Sequence, residues 1–363
     1  MPKTAGRDRA DDWDHSDRWE RLRGLAPTPL VVSPMAGGAS TVELVVAASA
    51  AGAFAYLAGG YLRAERLAAD MVAVRAAGVE RFGVNLFVPG SPTADPNGLG
   101  AYMASLRDEA AVLGADLGEP VWDDDDYHRK VEAVLALPPA VVSFTFGVPE
   151  TPLVDALQGA GALVMVTVTT PEEADIALRA EPDALCLQGA EAGAHRGSLG
   201  NDDRPDADRP IRALLAAVRR RTTMPLVAAG GVGGPEDVPD LLARGAALVQ
   251  AGTAFLRCPE SGAPAAHKDA LGDGAFDRTA VTRAFSGRRA RSLLNAMVRA
   301  HPDAPAAYPE INNATRPLRA AAGRAGDVQH MSLYAGTGFR RAEARPAAEV
   351  VERLVAMWSG WQR

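Results

Sequence analysis

The chain has 363 residues, 47% of them hydrophobic and 23% charged, with a formal net charge of −7. That length suits one large α/β domain with an added lobe, or two domains, and it can bury a sizeable core. The acidic balance argues against a nucleic-acid partner, no apolar run approaches the roughly 18 residues of a membrane span, and the charged start (Arg7 to Asp14) lacks a signal peptide's apolar core, so a soluble, cytoplasmic protein is expected.

Cys186 and Cys258 stand among apolar residues without C-x-x-C spacing and read as buried free thiols, not as a zinc or thioredoxin-type site. The arginine clusters Arg219-Arg220-Arg221 and Arg288-Arg289 lie beside apparent helices and read as solvated helix ends.

Residues 1–26 are polar and aperiodic and read as an arm or short surface helix. Leu30–Ser33 reads as the first strand, Pro34-Met-Ala-Gly-Gly38 as its loop, and Thr41 as the N-cap of a helix over 42–51. Ala53–Leu57, closed by Gly59-Gly60, is the second strand, 64–76 a helix, and Arg81–Leu86 the third strand. The rhythm then breaks. Residues 88–125 carry Pro89-Gly-Ser-Pro92, a helical patch over 101–113 and the acidic run Asp123–Asp126; this is too long for a plain loop and is expected to be a helical insertion reaching to about residue 130. The acidic run reads as a solvated turn capping the next helix, because consecutive carboxylates cannot all face one ion, and no metal site is expected. Ala140–Phe144, Ala162–Thr167, Asp183–Leu187, Pro225–Ala229 and Ala247–Gln250 complete eight strands. Helices over 150–159, 171–179, 211–221 and 236–244 fall between them, Pro171 suiting a first turn.

Eight short apolar strands alternating with helices imply parallel pairing with right-handed crossovers, and eight such units close a barrel. Residues 27–272 therefore read as a TIM (β/α)8 barrel with a helical insertion after strand three, close to the usual ~250 residues. A doubly wound open sheet is the runner-up; it would place G-x-G-x-x-G after the first strand, which is absent. Residues 273–363 show helical patterns without clear β alternation and are expected to pack on the barrel near its mouth as a C-terminal helical extension.

In such a barrel the chemistry belongs at the C-terminal ends of the strands. There the sixth strand opens into Gln188-Gly-Ala-Glu-Ala-Gly-Ala-His-Arg-Gly197, three glycines and one histidine. His195 is a proton carrier near neutral pH, or else an incidental surface histidine in a turn. Gly230-Gly-Val-Gly-Gly234 after strand seven and Gln250-Ala251-Gly252-Thr253 after strand eight suit a phosphate, whose oxygens can take backbone N–H groups and the Thr253 hydroxyl. Asn85 and Gln188, at the ends of strands three and six, carry the donors and acceptors that a flavin's pyrimidine edge needs; anchoring of their own loops is the other reading. A flavin mononucleotide accounts for all of these features, a bare sugar phosphate only for the glycines.

Taken together these segments resemble the nitronate monooxygenase family, formerly 2-nitropropane dioxygenases, over residues 27–356. The resemblance rests on Pro34-Met-Ala-Gly37, Val84-Asn-Leu-Phe87, Val142-Ser-Phe-Thr-Phe-Gly147 and the Gln188–Gly197 motif, with Ala228-Ala-Gly-Gly-Val232 and Val249–Leu256. Thr282–Arg291 and Leu333-Tyr-Ala-Gly-Thr-Gly338 extend it. It implies FMN in a TIM barrel, held by Met35, Asn85, Gln188, Gly193, Gly231, Gln250, Ala251, Gly252 and Thr253, with His195 as the catalytic histidine. It also implies oxidation of an alkyl nitronate by O2 to a carbonyl compound and nitrite, with a homodimer as the assembly to test. His195 would bind the nitronate oxygens or, with a neutral nitroalkane, act as general base. Phe144, Phe146 and Tyr334 are candidates for the site wall or for the core. Ala194, where the family usually has glycine, would tighten the loop, and Thr145, where relatives can carry histidine, removes a polar contact and puts the substrate's identity, more than the cofactor's, in question. An NAD(P)H-dependent flavin reductase of the same superfamily (enoyl-acyl carrier protein reductase or quinone reductase type) and a barrel that binds without catalysis are the alternatives.

Overall fold

The computed structural model describes residues 15–202 and 208–361. The strands, in chain order, are β1 (Leu30–Val32), β2 (Phe54–Ala58), β3 (Gly83–Phe87), β4 (Val141–Thr145), β5 (Leu163–Val168), β6 (Ala184–Gln188), β7 (Ala194–His195), β8 (Leu226–Ala229) and β9 (Leu248–Ala251), followed by β10 (Thr279–Thr282) and β11 (Ala290–Leu293). All but β7, β10 and β11 form one closed parallel barrel, sealed where Val31 of β1 pairs with Gln250 of β9. The eight barrel strands are those expected from the apolar runs.

Alternation along each strand divides its side chains between two cores. Val31, Phe54, Tyr56, Val141, Leu163, Met165, Cys186, Val227 and Leu248 fill the barrel interior. Leu57, Val84, Val142, Phe144, Val166 and Leu187 face the helices. Each of these burials contributes about 1.5–3 kcal/mol relative to exposure. Gly83 is required on β3, since a Cβ there would lie 2.2 Å from the Tyr56 ring. At the bottom, the helix His15–Arg23 sends Leu22, 1% exposed, into the interior cluster, and Trp19 Nε1 donates to the Thr223 carbonyl. The expected surface arm is thus, over its described part, the barrel's lower plug; residues 1–14 lie outside the described residues.

Thr41 caps the helix Val42–Ala50 by accepting from Leu44 N at 3.0 Å, and Pro171 opens the helix Pro171–Leu178. The insertion after β3 holds two helices, Pro96–Ser105 and Arg107–Val112, tied to the C-terminal region where the Tyr102 hydroxyl donates to Ala284 O at 2.6 Å. The acidic run does not cap the helix that follows it. Asp126 instead accepts from Ala64 N at the start of the earlier helix Ala64–Ala76, Asp125 accepts from Tyr61 N and pairs with the buried Lys130, and Asp123 accepts from Asn313. The carboxylates bridge chain segments that only the closed barrel brings together.

The C-terminal part also departs from the all-helical expectation. β10 and β11 form an antiparallel hairpin, and β11 adds β7, pairing Ala290 with His195 and Arg291 with Ala194. Strands of four and two residues are too short to leave an alternation signal; their partners make them strands. A sixteen-residue helix, Glu310–Ala325, roofs the mouth. The last helix, Ala347–Val355, returns to the outer wall against Val42–Ala50 and β1, taking the eighth place in the helical ring beyond residue 272. Arg288 is not at a solvated helix end: it is 6% exposed, in the β10–β11 turn, with its guanidinium carbon 3.9 Å from the Phe146 ring centre. Arg219 and Arg221 do sit at a helix end, bonded to Met224 O and to Glu172 and Asp175. Among the described residues no helix is long and apolar enough to cross a membrane.

Pairing with β11 forces Ala194 to φ +61°, a left-handed conformation that costs an L-residue roughly 1–2 kcal/mol and glycine almost nothing. Ala194→Gly is expected to raise the thermal midpoint by about 1–2 °C per kcal/mol recovered. A lowered midpoint in calorimetry would show that the alanine methyl makes contacts worth more than the strain.

Candidate active site

A cavity of about 730 Å3 opens above the C-terminal ends of the strands. Met35, Asn85, Gln188, Gly193, His195, Gly231, Gln250, Ala251, Gly252 and Thr253, chosen from sequence, all line it. Inward alternation explains several of them: Gln188 and Gln250 are the last inward positions of β6 and β9, and Asn85 is the inward position before Phe87 on β3.

Both carboxamides have fixed orientations. Asn85 Nδ2 lies 3.2 Å from the Ser143 carbonyl, which only a donor can satisfy, and 2.9 and 3.0 Å from the Ser143 and Thr145 hydroxyls. Its Oδ1 is left as an acceptor for the cavity. Gln188 is turned the other way. Its Oε1 accepts from Arg196 Nη1 at 3.0 Å and Gly197 N at 2.8 Å, and its Nε2 donates to His195 O at 3.0 Å with one hydrogen to spare. Loop anchoring, one of the two readings from the sequence, is thus shown for Gln188, and one amide hydrogen remains free to face the cavity.

At the opposite end, Gly230 and Gly231 take φ of +113° and +74°, which glycine adopts freely. Thr253 begins a short 3-10 turn, and its hydroxyl accepts from Gly336 N at 3.0 Å, leaving its hydrogen to donate. Gly193 is obligatory: a Cβ would lie 2.5 Å from Ala335 C and Gly336 N. The Leu333–Gly338 segment thus lies directly on the histidine loop.

His195 Nε2 is 2.8 Å from Ser286 Oγ, and its ring packs 5.2 Å from Tyr334 and 5.9 Å from Phe146. Burial first, then the charges of Arg288 and Arg319, bring its pKa down from 6.5 to about 3, so the imidazole is neutral at physiological pH. Of the three aromatic candidates, Phe146 and Tyr334 line the cavity, whereas Phe144 points outward into the helix-facing core. Strand alternation would send Phe146 outward too, but φ of +78° turns its ring towards the mouth.

Several cavity residues escaped the sequence reading. Tyr61 follows β2 at φ +67°, its N–H held by Asp125, and its hydroxyl meets that of Tyr308 at 3.3 Å. Arg316, Arg319 and Arg324 line the cavity from the roof helix, Arg319 held by Asn312 and Thr315 and, among the described residues, by no carboxylate. Their near-helical spacing was visible, but not which face of the helix would meet the barrel. Arg196, 1% exposed, sat inside the quoted motif, yet only its burial shows that it is structural.

The family model described as nitronate monooxygenase matches residues 20–357. A nitronate monooxygenase of Pseudomonas aeruginosa is 39% identical over 350 residues, covering 94% of this chain and 98% of that one. A probable nitronate monooxygenase of Staphylococcus aureus is 29% identical, covering 90% and 93%. Among solved structures, nitroalkane oxidase from Streptomyces ansochromogenes superposes with a TM-score of 0.90 at 44% identity, over 92% of this chain and 96% of that one. FabK from Thermotoga maritima reaches 0.67 at 22% identity, covering 93% and 94%, which is likeness of fold alone. A match that runs from the lower plug to the last wall helix, through the loop that carries His195, makes this chain a member of the nitronate monooxygenase family.

Proposed function

We propose that the cavity binds FMN and that the chain oxidises alkyl nitronates, and neutral nitroalkanes, with O2 to a carbonyl compound and nitrite. The observation that carries this reading is the convergence in one cavity of a neutral histidine, two oppositely oriented carboxamides and a glycine-rich anion cradle.

The residues present fit the cofactor. Asn85 offers an acceptor and Gln188 a donor, the complement of a flavin's pyrimidine edge. Gly231 and Thr253 offer unobstructed backbone and a free hydroxyl hydrogen to a phosphate. Met35, Gly193, Gln250, Ala251 and Gly252 would line the bed between. When bound, FMN supplies the electron acceptor for substrate oxidation and passes the electrons to O2.

The protein's own part is to bind, orient and exclude water. Arg319 and Arg288 set positive charge beside His195, which favours a nitronate anion and disfavours an imidazolium. Neutral His195 can hydrogen-bond the nitronate oxygens or, with a neutral nitroalkane, take the α-proton. Phe146, Tyr308 and Tyr334 pack about its ring and shield the reacting carbon from solvent.

Thr253→Val should bind FMN about 10–100-fold more weakly, the worth of one hydrogen bond to a charged group, as read by flavin fluorescence on the apoprotein. Affinity equal to wild type would place the phosphate elsewhere. His195→Asn should keep FMN but lose on the order of 100-fold in nitrite release and oxygen uptake; full activity would remove His195 from the chemistry. Because the folded-state pKa of His195 is depressed to about 3, the ring stays neutral as pH falls through 6.5 and protonates only near that lower value. Turnover of a neutral nitroalkane should therefore show no acid limb centred at 6.5, and a limb there would mean that the ring is better solvated than its surroundings imply.

A further inference from the structure

Ser286, 1% exposed, sits in the β10–β11 turn with its Oγ 2.8 Å from His195 Nε2, 3.2 Å from Arg288 O and 3.3 Å from Arg288 N. A hydroxyl has one proton to give and two lone pairs to receive. The Arg288 N–H takes one lone pair, so the proton goes either to the Arg288 carbonyl or to the imidazole. If it goes to the carbonyl, His195 Nε2–H fills the second lone pair and all three hydrogen bonds form. If it goes to the imidazole, one lone pair stays empty and the Arg288 carbonyl loses this donor. The first arrangement makes one more hydrogen bond, a preference of roughly two- to tenfold. The Tyr334 hydroxyl also interacts with Ser286, and where it accepts the Ser286 proton it acts as the Arg288 carbonyl does, leaving the same lone pair for His195 Nε2–H.

We infer that Ser286 is a positioning residue that fixes His195 as its Nε2–H tautomer, so that of the two roles above the bare Nδ1 takes the proton of a neutral nitroalkane and does not donate to nitronate oxygens. Where the bare nitrogen takes a proton, the α-carbon–hydrogen bond breaks, the proton passes to Nδ1, and the electron pair stays on the substrate as the nitronate. A substrate supplied as its nitronate skips that step. The reactivity part rests on the function proposed above; the tautomer does not.

Two measurements test this. In the FMN-loaded protein labelled with 15N-histidine, long-range proton–nitrogen correlation, assigned with His195→Asn, should show Nε2 protonated and Nδ1 bare. An Nδ1–H tautomer overturns the inference whatever the activity. Ser286→Ala, checked for wild-type FMN content and melting, should lose about tenfold in kcat/KM on neutral nitroethane and stay within about twofold on pre-formed ethyl nitronate. Equal losses on the two substrates, or no loss on either, overturn it as well. If the wild type released nitrite from neither, the proposed function would fail while the nitrogen spectrum still decided the tautomer.

Discussion

The guanidinium of Arg196 donates to the Gln188 side-chain oxygen at 3.0 Å, the Gly189 carbonyl at 2.6 Å and the Gln188 carbonyl at 3.3 Å, and the shape of the histidine loop depends on it. A ten-residue loop with three glycines has much conformational freedom to lose. The arginine restricts it by tying the strand end to the loop's return, while Gln188 Nε2 takes the His195 carbonyl. Burying a charge is tolerable only when its donors are used, and burial lowers this arginine's pKa to about 10, still charged at neutral pH. Removing it would take a charged donor from the Gln188 side-chain oxygen, which keeps Gly197 N, and from the Gly189 carbonyl, which keeps Ala192 N, at about 1.5–3 kcal/mol for each hydrogen bond lost.

The second support comes from outside the barrel. β11 pairs with β7 and presents Ser286 and Arg288 from its preceding turn, while Gly336 lies on Thr253 and against Gly193. One C-terminal region thus touches both the histidine loop and the turn that begins at Thr253. Because the last helix then rejoins the wall beside β1, that region is anchored at both ends in the barrel. The site is a joint product of barrel and extension.

Charge is arranged with the same economy. The acidic net charge of the chain says nothing of the cavity, where Arg288 and the roof-helix arginines set a positive field around an imidazole kept neutral. Glu191 lines the cavity but is engaged by Ile211 N, and the Asp123–Asp126 carboxylates lie off to one side, where Asp125 holds Tyr61 in place and pairs with Lys130. Burial lifts the Asp125 carboxyl to about 6 even with that ammonium beside it.

The sequence by itself determined the barrel, since eight apolar runs of the right length can bury both faces only as a parallel sheet wrapped by helices. It also determined which strand ends bear amides, glycines and a histidine, because inward alternation and loop composition are local properties. What it left to the tertiary structure are the features made by pairing distant segments. The two-residue β7 and the four-residue β10 and β11 have no signal of their own. Phe144 and Phe146 are alike in sequence until one backbone angle parts them, and the acidic run looks like a local cap until the barrel brings Tyr61 and Ala64 to it. Arg196 and Arg288 look like surface charges until burial reveals them as internal braces. Local composition can specify a strand or a loop, but the partner of a buried polar atom is chosen by whatever the closed fold places within 3 Å of it.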